Sequence, residues 1–426
     1  MNHSPEKELA LDAVRRLRAA GFEALWAGGC VRDLLLGHEP TDYDVATSAT
    51  PHQVRDVFGR RRTLTVGLSF GVVIVLGDNS HATQIDVATF RTDATYSDGR
   101  RPDAVTFSNP REDAQRRDFT INGMFYDPLH ASVIDYVDGQ ADLQRGVIRA
   151  IGHADDRIAE DKLRMLRAIR IAARFGFAIE EQTRAAIQRH AGQVSAVSGE
   201  RIWMEVRKTL DSPRPAWGVA EWAAVGLLEH ILPEVAEDWA ATHQETLQLL
   251  AASLPLEWPV RLSALLWPAV GAEPRRVTAA LTTLRQRLKL ANDVCDALQF
   301  CLPVQVKLSA AEERPWSEVQ PLLIHPYAHQ AVSLYELRAR TTTSPQTAAP
   351  MLATAQWLQQ RLAQAPEQLN PPPLLLGSDL IGLGLKPGPV FKDLLEQARR
   401  LQLDRALTDR VSALAWVRDQ ALPGLG

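Results

Sequence analysis

Three features that many secreted, metal-binding and membrane proteins depend on are scarce or missing in this sequence. Its three cysteines, Cys30, Cys295 and Cys301, lack the spacing of metal ligands, which argues against a disulfide framework and a zinc site. There is no signal peptide and no long apolar run, so we expect a cytoplasmic protein that does not enter a membrane. The formal net charge of −4 excludes an overall positive field as the basis for nucleic-acid binding.

Positive charge is nevertheless concentrated locally. Arginines cluster at residues 60–62, at 100–101, at 116–117 and between 164 and 174. Such clusters can bind phosphates on a near-neutral protein because the field is local, although a solvated helical face explains about half of them equally well. With 426 residues, 46% of them hydrophobic, the chain is long enough for several domains with their own cores.

Secondary-structure signals change near residue 155. An amphipathic helix is predicted over residues 2–20, with Ser4 and Pro5 at its start. Apolar, β-branched runs then predict strands at residues 72–76, 84–88, 133–136 and 147–150. From residue 155 onward, apolar residues recur at intervals of three and four, which predicts helices only. We therefore expect an α+β fold class: a mixed-sheet head with helices, followed by all-helical parts.

A Gly-Gly turn near the start of the chain joins two predicted elements. Residues 22–27 read as a short apolar strand, and residues 31–36 as an amphipathic helix. Gly28 and Gly29 lie between them and let the backbone approach a ligand closely. The free N–H groups at the helix start then make an anion site, which predicts a phosphate cradle.

Two aspartates one residue apart follow on the next predicted strand. Asp42 and Asp44 should face the same side of the sheet, and two carboxylates forced together repel unless a cation lies between them. Asp86, between apolar neighbours on a later strand, is a candidate third acidic group for a two-metal site. For Asp86 alone, a surface pairing with Arg91 explains the sequence almost as well.

A short polar segment supplies further phosphate chemistry. Arg116 and Arg117 can bind a triphosphate bidentately. Asp118 and Asn122 can hydrogen-bond a ribose hydroxyl. The alternative is a capped helix start with Asp118 or Thr120 as the cap.

Residues 160–170 predict one continuous helix that can read a base. Asp161 and Arg164 are three residues apart and share a face, and Arg167 and Arg170 continue the same spacing. The ordinary explanation is an ion pair within the helix. The alternative is base readout, because a carboxylate accepts from the amino group of cytosine or adenine and a guanidinium donates to ring acceptors.

In combination, these motifs resemble one family. The chain resembles class II tRNA nucleotidyltransferases and bacterial poly(A) polymerases, with the motifs in family order over roughly its first half. The motifs are Gly28-Gly29-x-Val31-Arg32-Asp33, Asp42-x-Asp44, Arg116-Arg117-Asp118 and Glu160-Asp161-x-x-Arg164, then residues 138–143 and 198–202.

The resemblance implies a polymerase-β-type nucleotidyltransferase head, then a helical neck, body and tail. We place the catalytic head at residues 1–150, the nucleotide-selecting neck at 151–212, the body at 213–365 and a tRNA-binding tail at 366–426. The resemblance also implies that Asp42 and Asp44 hold Mg²⁺ and that Asp118 lies at the ribose. It further implies a protein template for CTP and ATP, formed by Glu160, Asp161 and Arg164.

Other segments refine the resemblance. The polar segment 92–113 matches, in full length, the flexible loop that helps members switch from C to A addition. Residues 64–71 are similar to a Val-Gly-x-x-Phe-Gly stretch of the tRNA enzymes. Gly123 stands where alanine is usual, which we expect to loosen the helix that follows.

The sequence therefore predicts an enzyme that adds or repairs the 3′-terminal CCA of tRNA from CTP and ATP and releases pyrophosphate. Arg32, Arg116 and Arg117 are expected to bind phosphates. Poly(A) polymerase activity, or addition of CC or A alone, is the alternative on the same fold, and a catalytically idle RNA-binding protein is the alternative from another class. The oligomeric state stays open.

Overall fold

The computed structural model describes residues 4–67, 71–77, 83–93 and 105–421. The chain forms two compact units, Met1–Pro233 and Glu234–Gly426. The division into head, neck, body and tail at residues 150, 212 and 365 stays a prediction.

The first unit contains all the strands of the described residues. They are β1 (Ala24–Ala27), β2 (Asp44–Thr47), β3 (Thr63–Gly67), β4 (Val72–Leu76), β5 (Gln84–Thr89), β6 (Arg91–Asp93), β7 (Val105–Phe107), β8 (Phe125–Asp127), β9 (Ser132–Ile134), β10 (Val147–Ile148) and β11 (Ala178–Ile179). Its helices up to residue 224 are α1 (Pro5–Ala19), α2 (Gly29–Leu35), α3 (Pro51–Phe58), α4 (Pro110–Gln115), α5 (Gly139–Arg145), α6 (Ala154–Glu160), α7 (Arg164–Phe175), α8 (Glu181–His190), α9 (Gly199–Leu210) and α10 (Pro215–Ala224).

Seven of the described strands form one mixed sheet in the order β3-β4-β5-β2-β1-β8-β9. β2 and β5 are parallel, and the other neighbours are antiparallel. Leu25, Ala46, Phe90 and Phe125 pack into one apolar cluster of the head, which fixes the central strands against each other. The mixed-sheet α+β fold predicted from the sequence is confirmed.

The remaining described residues are helical. The helices are α11 (Leu228–Ile231), α12 (Pro233–Ala236), α13 (Trp239–Ala252), α14 (Trp258–Val270), α15 (Pro274–Leu288), α16 (Asn292–Cys301), α17 (Val304–Leu308), α18 (Trp316–Leu323), α19 (Ala328–Thr341), α20 (Pro345–Leu362), α21 (Pro366–Leu369), α22 (Gly377–Gly382), α23 (Pro389–Leu403) and α24 (Arg410–Ala421). In the second unit, one apolar core surrounds Tyr335 and Leu358, and another surrounds Leu380 and Val417.

Several predicted elements have the expected limits. The first helix begins at Pro5, and the Ser4 hydroxyl accepts a hydrogen bond from the Lys7 N–H, as the cap prediction requires. The strand predicted at residues 72–76 has those same bounds.

Other predictions are wrong in detail. Strands do not stop at residue 155, because β11 pairs in parallel with β10. A two-residue strand is too short to show a period in the sequence. The polar segment 92–113 is not one loop: β6 pairs with β7 across it, and α4 begins inside it. Residues 94–104 of that segment and residues 68–70 of the Val-Gly-x-x-Phe-Gly stretch lie outside the described residues.

Gly123 does not precede a helix, so the expected loosening is also wrong. It ends a single 3₁₀ turn and leads into β8. A Cβ placed on Gly123 would lie 2.7 Å from Cγ2 of Val137 and 3.0 Å from Cδ1 of Ile151. These two side chains occupy the space that an alanine methyl group would need.

Candidate active site

The Gly-Gly turn connects a buried strand to a short helix. All four residues of β1 are buried, and α2 begins at Gly29, two residues earlier than predicted. Gly28 has φ 76° and ψ −133°, a conformation that favours glycine. A Cβ on Gly28 would lie 3.1 Å from Nη1 of Arg117 and 3.9 Å from Oδ2 of Asp44. The missing side chain therefore lets two functional candidates approach the turn.

The acidic residues lie where β2 begins, beside the middle of β5. Tyr43 is buried while Asp42 and Asp44 are exposed, which is the alternation predicted for a shared face. β2 itself starts only at Asp44, so Asp42 precedes the strand. The parallel register pairs Val45 with Val87, so Asp44 and Asp86 are neighbours across the two strands.

These carboxylates interact electrostatically. Desolvation by the surrounding protein and the charge of Asp86 raise the pKa of Asp44 to about 6. The charge of Arg117 opposes this rise, and the charge of Asp42 adds to it. Partial burial and the charge of Asp42 also raise the pKa of Asp86. The negative charges of the three carboxylates thus act on one another, and a cation bound beside them would relieve this repulsion.

Two arginines on the head share one buried carboxylate. Asp113, on α4, accepts from Nε and Nη2 of Arg116 at 2.9 and 2.7 Å through Oδ1. Its Oδ2 accepts from Nε and Nη2 of Arg117 at 3.2 and 3.0 Å. The guanidinium of Arg117 also lies 5.1 Å from the ring of Phe125. Both arginines are therefore fixed from behind.

Arg32 is buried and held on several sides. It donates from Nε and Nη2 to Oδ1 of Asp33, and from Nη1 to Oδ1 of Asn122 at 2.7 Å. Its guanidinium lies 4.6 Å from the ring of Phe175. Arg174 reaches the other oxygen of Asp33 at 3.1 Å, which connects α2 to the end of α7.

Asp118 is also fully engaged. Its Oδ1 accepts from the Phe119 N–H at 2.8 Å and from Nδ2 of Asn122 at 3.0 Å. Its Oδ2 accepts from Nε and Nη2 of Arg167 at 2.9 and 2.6 Å. Burial opposes ionisation, but the charges of Arg167 and Arg164 and the hydrogen bonds from Asn122 and Arg167 together outweigh it and hold the pKa of Asp118 far below its usual value. The helix-cap alternative is wrong, because residues 120–122 form one 3₁₀ turn without a side-chain cap.

The predicted continuous helix over residues 160–170 is broken. α6 ends at Glu160, Asp161 has an extended backbone, and α7 begins at Arg164. The predicted ion pair between Asp161 and Arg164 is therefore wrong, because the break removes the helical spacing on which it rests. Asp161 instead accepts from Nη2 of Arg201 on α9 at 2.7 Å and from the Leu163 N–H at 3.1 Å.

Arg164 and Arg170 are oriented by other partners. Nη1 of Arg164 donates to Oε2 of Glu160 at 2.6 Å, and its Nη2 donates to the backbone carbonyl of Arg116 at 3.2 Å. Arg170 donates from Nε to Oε2 of Glu205, a buried residue of α9, at 2.5 Å. The face of α7 is thus tied both to the head and to α9.

Most of the predicted site residues line a single cavity of about 430 Å³. The lining consists of Gly28, Gly29, Arg32, Asp44, Arg91, Arg116, Arg117, Asp118, Asn122, Asp161, Arg164, Arg167, Arg170 and Ile171. Three predicted residues are not part of it. Asp42 and Asp86 neighbour Asp44, and Glu160 acts on Arg164.

Comparisons with known proteins show the family of this chain. Residues 24–149 match the poly A polymerase head domain family, and residues 176–238 match a family described as a probable RNA- and SrmB-binding site of polymerase A. The CCA-adding enzyme of Latilactobacillus sakei is 35% identical over 403 residues, which cover 94% of this chain and 95% of that protein. This chain belongs to the CCA-adding enzyme family.

Further relatives extend the agreement. The CCA-adding enzyme of Geobacillus kaustophilus is 33% identical over 98% of both chains. The crystal structure of the Bacillus stearothermophilus CCA-adding enzyme in complex with CTP superposes with a TM-score of 0.74 at 28% identity, covering 98% of each chain. A Thermotoga maritima CCA-adding enzyme complexed with tRNA shares the fold at 20% identity and a TM-score of 0.66 over 98% of this chain and 96% of that one.

CCA-adding enzymes are nucleotidyltransferases, a class that generally depends on divalent metal ions. Within residues 4–67, 71–77, 83–93 and 105–421, no three His, Cys, Asp or Glu side chains form a group that could hold a metal by themselves. Mg²⁺ is typically held by one or two carboxylates plus substrate phosphates and water. Asp42 and Asp44, with the raised pKa of Asp44, fit that mode of binding.

Sequence reasoning missed several residues of this candidate site. Arg91 and Ile171 line the cavity but belong to no recognised motif. Asp113 and Glu205 face arginines of the cavity from behind, and Arg201 was noted only as part of a motif. The one local signal was the spacing of Asp113, three and four residues before the two arginines. None of the helices in the described part of the chain is both long and apolar enough to cross a membrane.

Proposed function

We propose that this chain adds or repairs the 3′-terminal CCA of tRNA from CTP and ATP, with release of pyrophosphate. The observation that carries the proposal is the single cavity lined by the Gly-Gly turn, Asp44, the paired arginines and the polar face of α7. A volume of about 430 Å³ is within the range of ligand pockets. Family membership supports the same reaction.

In this proposal the phosphates lie on the head side of the cavity. Arg32, Arg116 and Arg117 bind the triphosphate, and the Gly28-Gly29 turn leaves room for its oxygens. Asp42 and Asp44 hold Mg²⁺, with Asp86 adding to the acidic cluster. When bound, the metal polarises the 3′ hydroxyl of the primer and neutralises charge on the triphosphate.

The base and the ribose lie toward α7. Asp161 accepts from the amino group that cytosine and adenine carry, and Arg164 donates to their ring acceptors. Uracil and guanine present different patterns and are rejected. Glu160 orients Arg164, and Asp118 and Asn122 receive the ribose. Arg167 holds Oδ2 of Asp118, and Asn122 holds its Oδ1. Arg167 and Arg170 complete the polar wall.

The experiment that tests the function uses three tRNA primers, which end before CCA, after C-C and after C-C-A, with CTP, ATP and Mg²⁺. We expect growth that halts at C-C-A from either shorter primer and no extension of the complete one. Halting at C-C, or extension of the C-C primer alone, would limit the enzyme to CC or to A addition.

A poly(A) polymerase is the second candidate, because the head matches a family described by that activity. A long A tract on any RNA would establish it in place of CCA addition. Absence of Mg²⁺-dependent pyrophosphate release with every primer would support the idle RNA-binding alternative, against which the intact pair of Asp42 and Asp44 argues.

A further inference from the structure

Asp113 does not line the cavity, yet it is the partner of two residues that do. Its side chain is almost wholly buried, with the residue 1% exposed. Each of its two oxygens accepts hydrogen bonds from a different arginine, Arg116 through Oδ1 and Arg117 through Oδ2. Oδ1 also accepts from the Arg91 N–H at 3.3 Å. One carboxylate therefore fixes both guanidiniums and the start of β6.

The electrostatics make this arrangement stable. Burial alone would raise the pKa of Asp113, but the charges of Arg117 and Arg116 outweigh burial and hold that pKa below its usual value. A buried carboxylate that loses its partners pays a large desolvation penalty. Neither arginine can therefore swing away without leaving a buried charge less well paired.

The same contact decides where Arg117 presents its remaining donors. Nε and Nη2 are used by Asp113, and the guanidinium is bounded by the ring of Phe125. Nη1 donates to the backbone carbonyl of Asn122 at 3.5 Å and lies beside the Gly-Gly turn, where a Cβ on Gly28 would be 3.1 Å away; the charge of Arg117 acts on Asp44. Arg117 thus faces the part of the cavity that the turn and the acidic pair share.

We propose that Asp113 is a positioning residue that holds Arg116 and Arg117 in the geometry that receives the triphosphate. The inference rests on the proposed function, since it assumes that these arginines bind nucleotide phosphates. Because Asp113 contacts neither Asp161 nor Arg164, its effect falls on the phosphates, which CTP and ATP share, and not on base choice.

The competing account is a purely structural role, in which Asp113 anchors α4 and does not position the arginines for phosphate binding. Asp142 provides a matched control for it. This residue is 3% exposed, lies in the same unit, and accepts from Thr120 and Arg149 at 2.8 and 3.0 Å without lining the cavity. Asp113→Asn and Asp142→Asn each remove one buried charge that is paired with an arginine, so both test general loosening.

The experiment measures binding of inorganic tripolyphosphate to the full chain without added metal, by displacement of a fluorescent CTP analogue. Melting temperatures are recorded in parallel. We expect Asp113→Asn to weaken tripolyphosphate binding by tenfold or more, a size typical of a lost charge-assisted hydrogen bond of about 1.4 kcal/mol or more. Asp142→Asn should lower the melting temperature by about as much as Asp113→Asn does. It should leave tripolyphosphate binding within about twofold of the wild-type value.

Two further readouts guard against a variant that folds poorly. In an Arg117→Ala background, Asp113→Asn should change tripolyphosphate binding less than it does in the wild type, because the two residues act together. With tRNA, Asp113→Asn should raise the KM for CTP and ATP by the same factor and leave the exclusion of UTP and GTP unchanged.

The proposal is overturned if Asp113→Asn binds tripolyphosphate like the wild type, if Asp142→Asn weakens binding equally, or if the effects of Asp113→Asn and Arg117→Ala simply add. These results are independent of CCA addition. A wild-type chain that binds tripolyphosphate but adds no CCA would contradict the proposed function alone.

Discussion

The two walls of the cavity are held in place by different kinds of contact. The phosphate wall is formed by Arg116 and Arg117, which share Asp113 as their partner. Asp113 lies on α4, three and four residues before the two arginines, which directly follow that helix. On the base wall, formed by Asp161, Arg164, Arg167 and Arg170, Arg164 has a local partner in Glu160, but Asp161 is held by Arg201, 40 residues along the chain. Arg170 is likewise held by Glu205, 35 residues away.

Because of this difference, we expect phosphate affinity and base choice to depend on different contacts. A local pair is set by the helix that carries it, so the phosphate wall depends on α4. The base wall depends on the packing of α7 against α9 and on contacts with the head. Changes in the two walls should therefore have separable effects on phosphate affinity and on base discrimination.

The largest effect is expected at Asp42, because the metal that it is proposed to hold would serve both nucleotides. Asp42→Ala should reduce incorporation of both nucleotides on the order of a thousandfold or more, because the metal's contribution of several kcal/mol is lost. Binding of tRNA, measured by filter retention, should persist. Asp56→Ala, which removes an exposed carboxylate of α3, is the control for loss of one charge. Retained turnover in Asp42→Ala would remove the metal assignment.

A smaller effect, confined to the base wall, is expected from Arg164→Ala. Removing a guanidinium that donates to the base should cost about 1–3 kcal/mol of discrimination, roughly 5- to 150-fold. Competition between CTP and UTP, and between ATP and GTP, measures it. If UTP and GTP stay excluded while turnover falls, Arg164 contributes to structure and not to base readout.

A partial version of the same effect is expected from Arg201→Gln. Asp161 keeps the hydrogen bond from the Leu163 N–H but loses its charged partner, so it should hold its orientation less well. We expect discrimination to fall by about tenfold at most, with little change in tripolyphosphate binding. Arg184→Gln breaks a comparable ion pair with Glu221 outside the cavity and should change neither.

The smallest effect concerns a carboxylate that belongs to neither wall. Asp127 accepts from Nη2 of Arg18 at 2.8 Å and from the Leu129 N–H at 2.9 Å, and His130 also contacts it. Burial opposes ionisation, but the hydrogen bonds from His130, Arg18 and Leu129 outweigh it and lower the pKa of Asp127 to about 2.

A carboxylate whose pKa is lower in the folded protein stabilises the folded state at pH values above its unfolded pKa of about 3.9. This stabilisation is lost as the pH falls toward the folded-state pKa. At pH 7, Asp127→Asn should therefore have a free energy of unfolding about 1–2 kcal/mol below that of the wild type, measured as a lower melting temperature. The gap should narrow between pH 4 and pH 3. A gap that is constant with pH would contradict the assigned ion pair, and base choice and tripolyphosphate binding should stay unchanged.

Sequence reasoning works best for the features that short-range geometry determines. The Gly-Gly turn, the alternation of Asp42, Tyr43 and Asp44, and the cap at Ser4 each follow from residues within a few positions of one another. The strands β4 and β5 follow from their apolar pattern. The resemblance to the family rests on these same local motifs.

Long-range and very short features were not predictable. The helix break at Asp161 was missed because residues 160–170 have good helix propensity, whereas Asp161 pairs with Arg201 from another helix. β11 has two residues and depends on pairing with β10. Asp113 reads as an ordinary polar residue of a predicted loop. Its spacing from the two arginines is a weak signal, and its burial and its two ion pairs with them appear only in the structure.

Asp113→Asn and Arg201→Gln, measured side by side, test the separation of the two walls most directly. For each variant we would determine the binding constant for tripolyphosphate and the ratio of catalytic efficiencies for CTP and UTP. The account predicts that Asp113→Asn changes only the binding constant and that Arg201→Gln changes only the ratio. Variants that each change both quantities together would contradict it.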